Sequence, residues 1–296
     1  MSDHHPKGSY YLPEPSHWPI VGSIGVTTLL WGAANWLHGH VFGPYMFFSG
    51  ALILAFMMFG WFSTVIGENQ AGIYNTKQMD RSFRWGMVWF IFSEVMFFSA
   101  FFGALFYSRT FVVPWIGGVG AGSGPMTHYL IWPAFQATWP VYKNPDYTQF
   151  IGPKAVMDTW GIPAINTLIL LTSGVTITIA HWGLVKRDRL QLIIFQTLTV
   201  LLGITFLMMQ AHEYGIAYTE KGLKLSSGIY GTTFFMLTGF HAAHVTIGTI
   251  MLIVMLCRIL KGHFNPKDQF AFEAVSWYWH FVDVVWLGLF IFVYWW

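Results

Sequence analysis

Two carboxylates and a histidine fall within eleven positions of a run otherwise apolar enough to cross a membrane. They are Glu273, His280 and Asp283, in Phe272-Glu273-Ala274-Val275-Ser276-Trp277-Tyr278-Trp279-His280-Phe281-Val282-Asp283. Charge in hydrocarbon is costly, so such residues are by default buried against protein, partnered, and candidates for function. On an ideal helix Glu273, Trp277 and His280 share one face, with Asp283 beside it. That face must meet other helices rather than lipid.

Further ionisable groups sit in apolar runs. Glu94 stands in Phe90-Ile91-Phe92-Ser93-Glu94-Val95-Met96-Phe97-Phe98. It reads either as a proton-handling or gating carboxyl, or as a protonated carboxyl hydrogen-bonded to a neighbouring helix. His241 and His244 lie one turn apart in Gly239-Phe240-His241-Ala242-Ala243-His244-Val245. Two histidines at that spacing can ligate a metal, but a site needs more ligands, such as His280, His212 or Glu94. Hydrogen bonding between helices, beside Gly239 and Gly248 where helices approach closely, is the favoured expectation. Gln210, His212 and Glu213 are expected at a solvated helix end. Arg258, Lys261 and His263 are expected at the inner interface, with Glu68 at the same depth. A basic pair there attracts anionic phospholipid headgroups, or serves topology alone.

Other chemistries lack their parts. No glycine-rich phosphate loop is present. The single cysteine, Cys257, excludes an internal disulfide or a thiolate metal cage, and iron–sulfur or binuclear copper pairs are missing.

The elements that position these residues follow from composition. Charged residues make up 9% of the 296-residue chain, hydrophobic residues 55% and aromatic residues 19%. So few charges cannot cover a soluble domain of this size. A polytopic all-α membrane protein is expected. A net charge of +2, without a basic run, gives no sign of nucleic acid. The stretch Met1 to Pro19 lacks the features of a cleaved signal, so the mature chain is expected to start near here.

Spans of about 20 mostly apolar residues are expected at 18–37, 44–66, 83–108, 162–184, 190–214, 229–260 and 270–296. The expected organisation is an N-terminal segment with a two-helix unit over 1–66, a cytoplasmic linker over 67–81, and a five-helix bundle over 82–296. The bundle includes a long outer loop, 109–160. Orientation follows from Lys and Arg. Lys7, Lys77, Arg81, Arg84, Lys186, Arg187, Arg189, Arg258, Lys261 and Lys267 outnumber Arg109, Lys143, Lys154, Lys221 and Lys224 on the other side. A cytoplasmic N-terminus and a periplasmic C-terminus are expected.

Several motifs together resemble one family. Ser93-Glu94-Val95 with its aromatics, Gly174-Val175-Thr176 with Ala180-His181, and Tyr230-Gly231-Thr232-Thr233-Phe234-Phe235 with Gly239-Phe240-His241 and His244-Val245 are similar to subunit III of cytochrome c oxidase, of the haem–copper aa3 type. The run from Phe272-Glu273-Ala274 through Trp277-Tyr278-Trp279-His280-Phe281-Val282-Asp283-Val284-Val285-Trp286 resembles the family's most distinctive signature. The resemblance implies seven helices split two plus five around a V-shaped cleft that holds phospholipid. It implies no haem or copper in this chain, those centres belonging to subunits I and II. It maps the family's intramembrane carboxylate onto Glu94 and its lipid contacts onto Trp61, Glu68, Arg258, Lys261 and His263. It further implies a chain that stabilises subunit I and supports proton uptake in a bacterial inner membrane, the mitochondrial inner membrane being the alternative. The first two helices favour cytochrome c over quinol as the donor. The residues themselves leave two rivals. One is a proton-coupled transporter using Glu94, Glu273 and Asp283. The other is an intramembrane metalloenzyme using His241, His244 and His280.

Overall fold

The computed structural model describes residues 15–72, 76–119, 124–264 and 269–296. Lys7 and Lys267, used above for orientation, lie outside the described residues. The element order is α1 (Trp18–Leu37), α2 (Gly43–Gln70), α3 (Lys77–Tyr107), a π-helical turn (Ser108–Val112), α4 (Val113–Ile116), α5 (Gly124–Ile131), α6 (Ile162–Lys186), α7 (Arg189–Thr219), α8 (Ile229–Leu260), α9 (Phe270–Leu289) and a second π-helical turn (Phe290–Trp295). Among the described residues seven helical stretches are long and apolar enough to span a bilayer, and the fold is all-helical and multi-pass. Helix packing groups α1 with α2, and α6 with α7, α8 and α9.

The chain divides into two compact units, 1–82 and 83–296, the division falling early in α3. In the first unit α1 and α2 approach closely because glycines remove the obstacle. A Cβ at Gly32 would meet the Phe47 backbone, and one at Gly50 the Leu29 backbone. Small residues that let backbones meet are the usual device for joining helices in lipid, where no hydrophobic drive exists. Trp18 lies over Gly60 and donates from Nε1 to Thr64 Oγ1 at 3.3 Å.

The helix ends carry local signals. Proline stands in the first turn of α1, α2 and α6, where its missing N–H costs nothing. Between α6 and α7, Arg187 adopts φ 61° and Asp188 caps α7 by accepting from the Gln191 N–H at 3.0 Å. That two-residue link makes α6 and α7 an antiparallel pair.

The boundaries between the second and third spans move. The polar residues after Ile66 do not end α2, which runs on to Gln70, and α3 starts at Lys77. Glu and Gln are good helix formers, and the chain breaks only near Gly72, at φ 79°. The stretch 109–160 is not a plain loop. It opens with a π-helical turn and α4, and later carries α5. It then docks through Asn144, whose Nδ2 donates to the Phe150 carbonyl at 3.0 Å and the Ser227 carbonyl at 3.2 Å. Val113, Phe135 and Val141 form a small satellite core beneath it.

The main core lies in the second unit, and α9 is its centre. Trp279, Val282 and Leu289 have no exposed surface. Trp279 wedges against Gly203 of α7 and Gly248 of α8, where added Cβ atoms would lie 3.0 and 2.9 Å from the indole. Its Nε1 donates to Ser173 Oγ of α6 at 2.9 Å. One side chain thus touches three helices. Gly239, by contrast, is open, with only Tyr214 Oη 3.8 Å from an added Cβ. Close approach of helices holds for Gly248 and not for Gly239.

Candidate functional site

Glu94 finds a specific partner. Its Oε2 lies 2.9 Å from His244 Nε2, joining α3 to α8 in the middle of two apolar helices. His244 Nδ1 lies 2.7 Å from the Phe240 carbonyl, which can only accept, so Nδ1 carries hydrogen and donates. The bond between Nε2 and Oε2 therefore rests on a single shared proton, held by one partner or the other. Aromatic rings wall the pair. Phe98 stands edge-on to His244 at 5.0 Å, and Tyr278 stacks at 6.4 Å.

His241, one turn away, faces elsewhere. It is 1% exposed and donates from Nε2 to the Val282 carbonyl of α9 at 3.2 Å. Phe206 and Trp286 flank it. The two histidines thus stitch α8 to different helices rather than converging.

At the start of α9, Glu273 forms an ion pair with Arg84 of α3, and His181 Nε2 of α6 lies 3.8 Å from its other oxygen. The carboxyl is 8% exposed. Arg84 also sits 5.6 Å over the Phe270 ring. Three helices meet on one charge pair. Nearly three turns further along α9, Asp283 packs against Gly174, where a larger residue would strike its Oδ2. His280 Nδ1 lies 3.8 Å from Asp283 Oδ2, and its Nε2 lies 3.3 Å from Thr178 Oγ1. Glu273 and Asp283 are buried on α9, whereas the His280 side chain is 43% exposed at the edge of that face.

The remaining candidates are scattered. Trp61 is exposed on α2, and Glu68 is half-buried near that helix's end. Arg258 is buried, its guanidinium 4.6 Å over the Phe264 ring. Lys261 is exposed and His263 half-buried. The expected solvated end at Gln210, His212 and Glu213 is corrected: α7 continues to Thr219, and only His212 is exposed. Gln210 and Glu213 turn into the bundle at 3% and 0% exposure. Their i, i+3 spacing, on the face that carries Phe206 and Ala217, was the signal for that burial.

Sequence reasoning singled out Glu273 without seeing Arg84 as its partner, or Ser173 as the acceptor for Trp279. Nothing local marks either pairing. Among the described residues no three His, Cys, Asp or Glu side chains gather where they could hold a metal ion.

These features define a polytopic helical membrane subunit whose intramembrane ionisable groups are engaged with neighbouring helices rather than pooled in one reaction centre. The chain belongs to the cytochrome c oxidase subunit III family, whose sequence profile matches residues 8–127 and 130–296. It is 39% identical to cytochrome c oxidase subunit 3 of Pongo abelii over 292 residues, covering 99% of this chain and 98% of the relative. Against the subunit of the same name from Marchantia polymorpha it is 39% identical over 298 residues, covering 100% and 98%. Against that from Salmo salar it is 36% identical over 292 residues, covering 99% and 98%. It is thus a subunit of the oxidase complex of the respiratory chain.

Proposed function

We propose that this chain is the non-redox subunit that stabilises subunit I of a proton-pumping oxidase and supports its proton uptake. The observation that carries the reading is the family match over nearly the whole chain, together with ionisable groups spent on helix-to-helix contacts. Haem and copper belong to the partner subunits, with subunit I the main contact and subunit II the second. The shared proton between Glu94 and His244 supports Glu94 as the functional intramembrane carboxylate. His241, His244, Glu273, His280 and Asp283 serve as the polar contacts that fix the five-helix unit.

Phospholipid is the proposed bound group, in contact with Trp61, Glu68, Arg258, Lys261 and His263. The exposed Lys261 supplies the charge best able to meet an anionic headgroup, worth about 1 kcal/mol near such a surface. We place the protein in a bacterial inner membrane, N-terminus cytoplasmic and C-terminus periplasmic, with the mitochondrial inner membrane as the alternative. Cytochrome c is the proposed donor.

The transporter reading asks Glu94, Glu273 and Asp283 to cooperate. Each instead has its own neighbour: His244, Arg84 and His280 respectively. The test is an oxidase complex prepared without this chain. Initial oxygen consumption should be near normal, followed by faster irreversible decay, most visible at alkaline pH where protons are scarce. Immediate collapse of turnover with haems and coppers still in place would overturn the supporting role.

A further inference from the structure

A charge-free stretch near the end of the chain's third span has no part in the roles above. From Thr110 to Tyr142 the sequence contains no Asp, Glu, Lys or Arg. A soluble segment is about one quarter charged. The stretch is nonetheless folded. Val113, Phe135 and Val141 are buried together, with Trp132 packed against them. α5 turns back along α4: His128 donates from Nδ1 to the Ile116 carbonyl at 3.2 Å, and Trp132, just past the end of α5, reaches the cluster around Val113.

The outward side of the stretch is apolar. Met126, Tyr129 and Leu130 share one face of α5, at i, i+3 and i+4, and are 61%, 76% and 68% exposed. An exposed apolar face on a segment that already has its own core marks contact with something outside it. The exposed apolar surface of α3, which includes Phe106 and Tyr107, leads into the stretch. Arg109, the one charge at the junction, is spent on aromatic rings: its guanidinium lies 4.4 Å from the Trp296 ring and 6.0 Å from the Trp139 ring.

Depth selects what covers the face. Trp139 also meets Tyr230, at the start of α8, at 5.7 Å, and Trp160, just before α6, meets Trp295 at 5.7 Å. The ends of α3, α8 and α9 and the entry to α6 thus share one tier of indole and phenol rings, the pattern of a membrane–water interface. Ile116 stands about 10 Å along the helical path from Arg109, and α5 returns toward the tier. A protein interface would surround its apolar centre with a polar rim. This stretch has no charged residue to supply one, so lipid is the better match.

We propose that α4 and α5 lie in the interfacial layer of the leaflet at the C-terminal end of α9, with Met126, Tyr129 and Leu130 packed against phospholipid acyl chains. Such a segment is held by the apolar area it buries rather than by headgroup charge. The contact is separate from the headgroup contact proposed at Arg258 and Lys261, which stand at the other end of α8 from Tyr230.

The test is site-directed spin labelling of the intact oxidase complex in phospholipid nanodiscs. Cys257→Ser is the background, its own signal subtracted, and Tyr129→Cys or Leu130→Cys carries the nitroxide. Power saturation should show collision with oxygen, which partitions into acyl chains, several-fold above collision with a water-soluble nickel chelate. Nickel collision above oxygen would put α5 in water, and low collision with both would put a second protein over it; either result overturns the proposal. Should neither variant assemble, the unmodified complex decides. Phospholipid carrying an acyl-chain diazirine should, on illumination, label residues 126–131, and label confined to the membrane-spanning helices would overturn the proposal.

Discussion

Nε2 of His244 lies 2.9 Å from Oε2 of Glu94, while its other ring nitrogen is committed to the Phe240 carbonyl. The tautomer is thereby fixed, and the carboxyl and imidazole share one proton across α3 and α8. A pair coupled in this way should not respond additively to mutation. Glu94→Ala and His244→Ala, separately and together, should show a coupling of about 0.5–3 kcal/mol in the thermal stability of the assembled complex. Additivity within about 0.5 kcal/mol would mean the two side chains merely lie close.

Trp279 makes one hydrogen bond and fills the space between three helices, and the two contributions are separable. Trp279→Phe removes the donation to Ser173 and should cost about 1 kcal/mol. Trp279→Ala removes the wedge as well and should cost about 3–5 kcal/mol. Gly248→Leu, which drives a side chain into the indole, should prevent stable assembly. The fraction of subunit retained after graded warming in mild detergent checks the series. Equal losses for Phe and Ala would show that packing around Trp279 carries no weight.

Removing Arg84 strands the Glu273 carboxyl in a site where it is 8% exposed. Arg84→Ala should destabilise the five-helix unit by about 1–3 kcal/mol, the cost of leaving a buried group without its partner, because Arg84 is itself one-third exposed. Arg84→Gln with Glu273→Gln should recover much of that loss. Subunit retention in the purified complex is again the readout. A double variant as unstable as Arg84→Ala would show that the charges themselves, and not their pairing, are needed.

Outside the membrane-spanning segments, Asp146 organises a tight turn. Its Oδ1 accepts from Thr148 Oγ1 at 2.6 Å and from the backbone N–H groups of Thr148 and Gln149 at 3.1 Å. These bonds, the Thr148 hydroxyl first, hold its carboxyl below the usual carboxylate range. A depressed value means the turn is favoured above the ordinary aspartate range and loses that support as pH falls through the lowered value. Protection of the Thr148 and Gln149 amides against hydrogen exchange, measured relative to an unstructured peptide at the same pH, should be kept at neutral pH and lost only as pH falls through the lowered value. Asp146→Ala should abolish the protection at neutral pH, and unchanged protection in that variant would remove the turn from the account.

Legibility in the sequence varied with the range of the interaction. The spans at Trp18–Leu37 and Ile229–Leu260 have the ends that hydropathy alone assigns, because loss of apolar character coincides with glycine or a capped turn there. The ends of α2 and α7 do not, because Glu68, Gln70 and Glu213 are helix formers as well as polar residues. Polarity marks the edge of a membrane only when the residue faces out. Glu94, His244 and Glu273 could be recognised as burdened positions from their apolar surroundings. Their partners could not, since His244 lies 150 residues from Glu94 and Arg84 lies 189 residues from Glu273. The expected solvated end at Gln210 and Glu213 fails for one reason: the helix continues through 215–219, past the point where apolar character falls.

The position of Trp279 has a consequence for how the protein is made. During synthesis α6, α7 and α8 emerge before α9, yet the indole that fills Gly203 and Gly248 and binds Ser173 belongs to α9. Until that segment enters the bilayer the three earlier helices lack their shared filling and keep two glycine-lined gaps. A ribosome stalled between Leu260 and Phe270 would therefore hold an open, protease-sensitive insertion intermediate. Closure is a late event in biogenesis, and quality control that surveys unpaired membrane helices has that whole interval in which to act.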